Sequence, residues 1–172
     1  THTLHGQADL DARTIQASLT TAHMRIEQLL PAIGKADLPL TGWADNTITL
    51  SGSLDNPTAS GSFRLTSGSY AGYLYKNVSA DYRLDNVTVN LSNGDISSYT
   101  ASLALSGSIG DTLNLDLIGK NVDISHLVPQ NKTPRSGSFD VQALIGGSLD
   151  NPSAAGSLTA AKLVINHMAL NN

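Results

Sequence analysis

The chain has 172 residues, of which 14% are charged, 40% hydrophobic and 5% aromatic, with 15 Gly, no Cys and a net charge of −4. An acidic chain without a Lys/Arg cluster lacks the electrostatic footprint of a nucleic-acid binder, and no run of about 18 apolar residues is present to span a bilayer as a helix. Without Cys there is no disulfide frame, thiolate zinc site or thiol nucleophile, and the aliphatic content is too high for disorder.

The chain begins Thr1-His2-Thr3 with no signal-peptide pattern and ends Leu170-Asn171-Asn172 without a terminating element. It is read as one continuous segment, residues 1–172, of a longer protein. Ile26, Leu29, Leu30 and Ile33 fall at i, i+3, i+4 and i+7, which predicts one or two helical turns with an apolar stripe, ending near Pro31. From there period two dominates, the signal of strands with one dry and one wet face. Ile48, Leu50 and Leu54 share parity, and Asp55-Asn56-Pro57 breaks the run, since Pro cannot donate to a ladder. Phe63 and Leu65 follow. At Tyr70, Tyr73, Tyr75 and Tyr82 the alternation is ambiguous. These read as ordinary strand tyrosines, with a groove-edge or partner-contact belt as the alternative. Val87, Val89 and Leu91 resume the pattern. Asn93-Gly94 predicts a type I′ hairpin turn before Ala101, Leu103, Leu105, Gly107 and Ile109. Gly110-Asp111 separates these from Leu113, Leu115 and Leu117. Ile124, Leu127 and Val128 predict a second short helix, with Asp123 as its cap. Phe139, Val141, Ala143 and Ile145 form the next run, Asp150-Asn151-Pro152 the next break, and Leu158 lies beyond it. The total is about ten strands of about 8–11 residues, longer than the usual mode.

One phrase occurs twice. Leu50-Ser-Gly-Ser-Leu-Asp-Asn-Pro-Thr-Ala-Ser-Gly61 returns as Ile145-Gly-Gly-Ser-Leu-Asp-Asn-Pro-Ser-Ala-Ala-Gly156, 95 residues on (position 145 against 50). Upstream, Leu19, Met24, Ile26, Leu29, Leu30 and Pro31 match Leu117, Val122, Ile124, Leu127, Val128 and Pro129, 98 residues on (position 117 against 19). The repeat units run approximately 4–61 and 105–156. Loop-length drift of this kind is ordinary in repeats, and no linker divides the copies.

Strands in this number leave one apolar face to be kept from water, by a second sheet, a helix layer or closure into a barrel. Helices are too few. Trp43, Phe63, Phe139 and the tyrosines are the only large rings, and many inward candidates are Ala or Val, which is thin for a tightly filled core. The expected fold is therefore all-β: a long, curled, mainly antiparallel sheet forming an open hydrophobic groove, with one or two very short helices. A closed β-sandwich is the alternative. The expected floor of the groove is Ile48, Leu50, Leu54, Phe63, Leu65, Val87, Val89, Leu91, Leu103, Leu105, Leu113, Leu115, Leu117, Val141, Ile145 and Leu158.

The phrase Leu-x-Gly-Ser-Leu-Asp-Asn-Pro-x-Ala-x-Gly, with Val122-Asp-Ile-Ser-His-Leu-Val-Pro129 upstream of its second copy, resembles the repeating segments of the TamB and AsmA-like bridge-forming envelope proteins. The resemblance covers the chain from about Leu4 to Leu170. It implies a β-taco anchored through the full-length protein in the inner membrane, crossing the periplasm and docking on an outer-membrane barrel protein of the TamA/BamA type. The implied role is a passive conduit carrying phospholipid acyl chains between the membranes. The alternative is a chaperone-like scaffold for outer-membrane protein or autotransporter assembly by β-strand augmentation. The resemblance carries no catalytic residues.

No other chemistry competes. Of His2, His5, His23, His126 and His167 only the first two are close, a weak basis for a metal site. Glu27 is the sole Glu, and the carboxylates show no paired pattern for acid–base work. No Gly-x-Ser-x-Gly stands at a strand-to-helix elbow. An enzyme is not expected, nor a cofactor. Pairing between copies through cut sheet edges is expected.

Overall fold

The computed structural model describes residues 1–34, 36–85, 87–98, 101–123, 135–165 and 168–171. It is all-β. Eleven strands pair antiparallel in chain order: β1 (His2–Asp9), β2 (Thr14–Arg25), β3 (Leu40–Ser53), β4 (Pro57–Tyr70), β5 (Tyr73–Asp85), β6 (Thr88–Ser97), β7 (Ser102–Ile109), β8 (Leu113–Asp123), β9 (Arg135–Gly147), β10 (Pro152–Ile165) and β11 (Met168–Asn171). The first and last strands do not meet, so the sheet is open. Between β2 and β3 lie a single helical turn, α1 (Ile26–Leu29), and a 3-10 turn (Leu30–Ile33). Pro31 fits that start, and Gly34 at φ 71° ends it in the left-handed region. The second predicted helix, at Ile124–Val128, lies outside the described residues.

An open single sheet has much more surface than a ball. The accessible area is 11240 Å², against about 8,000 Å² for a compact monomer of this mass. Protection is nevertheless uneven between the faces. Ala44, Ala59, Ala80, Leu115 and Val122 are buried on one face, Val122 to 1% exposure, while none of their chain neighbours on the other face is buried. The sheet curls toward its apolar face, which becomes a groove. α1 folds onto one end of it: Ile26 and Leu30 are buried against Ala44, with Leu29, Leu40 and Leu65 packed around them.

Curling strands as long as 14 residues requires local breaks in the pleat, and bulges provide them. His23, Asn121 and Asn93 hold φ of 56°, 51° and 52° in the middle or near the end of their strands. Each sits where the ladder slips: between Thr21 and Met24, between Gly119 and Val122, and between Leu91 and Gly94. Two of these use the same device at equivalent places. The His23 N–H donates to Asp45 Oδ1 at 2.8 Å, and the Asn121 N–H donates to Asp140 Oδ1 at 2.8 Å. Gly42 and Gly52 in β3 have counterparts in Gly137 and Gly147 of β9, all at positive φ. The turns before Pro57 and Pro152 close alike, Asn56 N–H on the Ser53 carbonyl and Asn151 N–H on the Ser148 carbonyl, both at 3.2 Å.

One turn is moved. Asn93-Gly94 is not a hairpin but lies inside β6, which runs on to Ser97. Asn93 uses its left-handed conformation for the bulge, and its Nδ2 donates to Asp81 Oδ2 at 2.7 Å. Among the described residues, the two-residue turn with both φ positive is Ala71-Gly72, at 50° and 86°, joining the paired Tyr70 and Tyr73. Alanine has no affinity for that conformation. Ala71→Asn is expected to stabilise the protein by about 1 kcal/mol, read as a higher urea midpoint at unchanged slope.

The bulge carboxylate also sets an acid limit. The Asn121 N–H, then the Lys120 ammonium, hold the Asp140 carboxyl below the usual range. The Ser102 hydroxyl, with Asn77, Ser97 and the Arg64 charge, does the same for Asp95 although burial opposes it. Groups with a depressed folded value stabilise fully above their unfolded value, about pH 4, and lose this as pH falls through the folded value. Asp140→Asn is expected to lower the calorimetric Tm at neutral pH and to leave it unchanged near pH 2.

Candidate functional site

The register fixes which residues share the concave face, because directly paired residues in an antiparallel ladder point the same way. Four cross-strand rows result. The first runs Met24, Ala44, Leu65, Val78, Ile96, Leu103, Gly119, Val141 and Leu158, from β2 to β10. The second begins His2, Thr21, Asn46, Phe63 and Ala80, and resumes beyond the Asn93 bulge as Gly94, Leu105, Leu117, Ala143 and Gly156. The third is Leu4, Leu19, Ile48, Gly61, Tyr82, Leu91, Gly107, Leu115, Ile145 and Ala154. The fourth is Gly6, Ala17, Leu50, Ala59, Leu84, Val89, Ile109 and Leu113, from β1 to β8.

The expected floor residues thus fall together on one face, with two outside it. Leu54 lies in the turn after β3, where Gly52 at φ 107° turns the strand out and the Leu54 N–H donates to the Arg13 carbonyl at 2.8 Å. Val87 lies in the β5–β6 connection at 77% exposure. Leu158 is in its row but 57% exposed, near the sheet's end where little overhangs it. Sequence reasoning missed Leu19, Met24, Val78, Ala80, Tyr82, Leu84 and Ile96. Val78, Ala80, Tyr82 and Leu84 do alternate, and that run was the available signal.

Two tyrosines brace the curl. The Tyr82 ring lies over Gly61, and its hydroxyl donates to Asn46 Oδ1 at 3.1 Å and to the Thr47 carbonyl at 3.4 Å, one strand further on. Burial pushes the Tyr82 phenol up, and the Asn46 hydrogen bond offsets part of this. Tyr75 lies over Gly68 and donates to the Thr41 carbonyl; burial, then the Glu27 charge, push its phenol up. Tyr70 and Tyr73 are instead exposed at the hairpin tip. So the four tyrosines do not form one belt.

The other face is mainly polar, with Ile118 and Leu144 exposed on it, and carries the pairs Lys120–Asp140 and Arg83–Asp85, while Arg13–Asp55 joins two turns at the strand ends; all are solvent-exposed. Exposed pairs of this kind contribute little. Its concavities are shallow and of mixed charge, as in the roughly 340 Å³ hollow beside Asp45, Arg64 and Asp81. Among the described residues no group of three metal-ligating side chains is present. No family model, curated protein or solved structure matches the chain.

Gly61 is where the tyrosine brace tolerates no side chain: a Cβ there would run into the Thr47 carbonyl and the Tyr82 hydroxyl. Gly61→Ala is expected to destabilise by about 1–3 kcal/mol. Tyr82→Phe in that background should recover little, since the Thr47 backbone clash remains; thermal melts of both variants check this.

Proposed function

We propose that the concave face is a passive hydrophobic conduit for phospholipid acyl chains, in a segment of a TamB or AsmA-like bridge that crosses the periplasm from an inner-membrane anchor to an outer-membrane barrel protein of the TamA/BamA type. The observation that supports this is the set of cross-strand aliphatic rows, which run the breadth of the sheet without an opposing layer among the described residues. Their direction matters. The rows run across the strands, so the groove axis follows the stacking of strands, and eleven strands at about 4.8 Å give about 48 Å of floor.

Each methylene moved from water to such a surface gains about 0.8 kcal/mol, so a 16-carbon chain avoids a barrier of roughly ten kcal/mol. The head group stays in solvent at the open side, and no polar pocket is needed to hold it. Repeated weak contacts with Leu, Val and Ile let a chain slide, whereas one deep cavity would trap it. No step of this role needs a nucleophile, an acid–base pair or a cofactor.

A second reading, strand augmentation of client proteins, draws on the free side of β1. Among the described residues that strand pairs only with β2, and all its residues are exposed. An unpaired edge of this length is a template for another strand.

Lipid extraction and mass spectrometry of the purified chain are expected to recover phospholipid. Leu103→Asp and Leu115→Asp should cut recovery about tenfold or more while far-ultraviolet circular dichroism stays that of a sheet. A lipid-free monomer, or loss of the sheet signal in both variants, counts against the conduit. Edge pairing into dimers without lipid favours augmentation.

A further inference from the structure

One stretch of the concave floor is not aliphatic. On the second row, β1, β2 and β3 place His2, Thr21 and Asn46 directly opposite one another, and Tyr82 reaches across Gly61 to join them. Thr21 is only 7% exposed, and its Oγ1 lies 3.1 Å from His2 Nδ1. Asn46 is half-buried. Because its Oδ1 accepts the Tyr82 hydroxyl, its amide N–H groups are turned away from that ring, and among the described residues no protein acceptor meets them. The nitrogen is not among the buried atoms left without a partner, so it is open to solvent and to a ligand acceptor alike.

The fold does not require this polarity. The second copy carries the same ladder slip, between Gly119 and Val122 rather than Thr21 and Met24. There Gly119 pairs with Val141 where Thr21 pairs with Asn46, and neither side chain can hydrogen-bond. An amide in an apolar floor costs free energy that valine does not. The four rows carry no Asp, Glu, Lys or Arg, so nothing there complements a phosphate. What the site offers is N–H and O–H donors at the edge of a hydrocarbon surface.

We propose that Thr21 and Asn46, braced by His2 and Tyr82, form a polar station in the groove that takes the ester carbonyl of an acyl glycerolipid, whereas the equivalent stretch at Gly119 and Val141 takes hydrocarbon alone. This rests on the conduit reading and adds a direction to it. An ester carbonyl only accepts hydrogen bonds, which suits the unpartnered Asn46 amide. With the carbonyl at β2 and β3, the tail lies along Phe63, Ala80 and Gly94 toward Leu105 on β7.

The test compares two probes with the same hexadecyl-length chain and glycerol end, 1-palmitoyl glycerol and 1-O-hexadecyl glycerol, which differ in the carbonyl. Each is titrated into the delipidated full chain by displacement of an anilinonaphthalene sulfonate dye. The wild type is expected to prefer the ester about fivefold, equivalent to about 1 kcal/mol. Asn46→Val installs the residue of the second copy and should bring the ratio to about one, and Thr21→Val should lower it. Infrared spectra of the ester with a carbon-13 carbonyl should show a hydrogen-bonded shift in the wild type that Asn46→Val removes. Equal affinities in the wild type, or a preference that survives Asn46→Val, overturn the station and leave the conduit standing. Failure of both probes to bind overturns both.

Discussion

An apolar sheet face that no second layer covers among the described residues is the constraint on which the rest of this structure depends. Eleven strands pair in order without closing, so among the described residues neither a barrel interior nor a facing sheet shields the concave rows. Curling is the remaining way to lower their contact with water, and it is incomplete, as the large accessible area records. Burial deep enough to hold a compact domain together is confined to a few places. These include the α1 contact on Ala44, Ala59 and Ala80 on β4 and β5, Tyr75 over Gly68, the floor near Leu115, and Val122 beside Gly119. Elsewhere the ladder of backbone hydrogen bonds and half-buried aliphatics carries the fold.

The curl is built from the outer face as much as from the inner. Bulges at His23, Asn93 and Asn121 shift the strand parity, and a carboxylate stands beside each: Asp45, Asp81 and Asp140. The two repeat copies share this scaffold yet differ in what lines it, with Thr21 and Asn46 in one and Gly119 and Val141 in the other. Local backbone geometry is therefore separable from the chemistry of the floor. A repeat protein can keep the first and vary the second.

How far the site could be read from sequence follows from which signals are local. Leu103, Leu105, Leu113, Leu115 and Leu117 alternate without interruption and occupy adjacent rows, as a period-two pattern requires. Val87 shows the same parity, but the ladder begins one residue after it, so its side chain stays in solvent. Ile96 was invisible for a related reason. The bulge at Asn93 switches β6 from odd to even positions, and Asn-Gly announces a positive φ without saying whether a turn or a bulge will use it. Ala71, which does occupy the tight turn, carries no local mark at all.

Alternation, the Asp-Asn-Pro breaks and the doubled phrase determined by themselves that this is a repetitive antiparallel sheet with one dry face, because strand periodicity and proline's missing donor act within a few residues. Tertiary structure decided the rest. That Tyr82 reaches over Gly61 to Asn46, that Thr21 and His2 meet beside it, and that α1 closes one end on Ala44 all depend on which strands become neighbours and how strongly they curl. Such contacts join residues 14 to 36 positions apart (position 44 against 30, position 82 against 46), a distance over which the sequence pattern carries no register of its own.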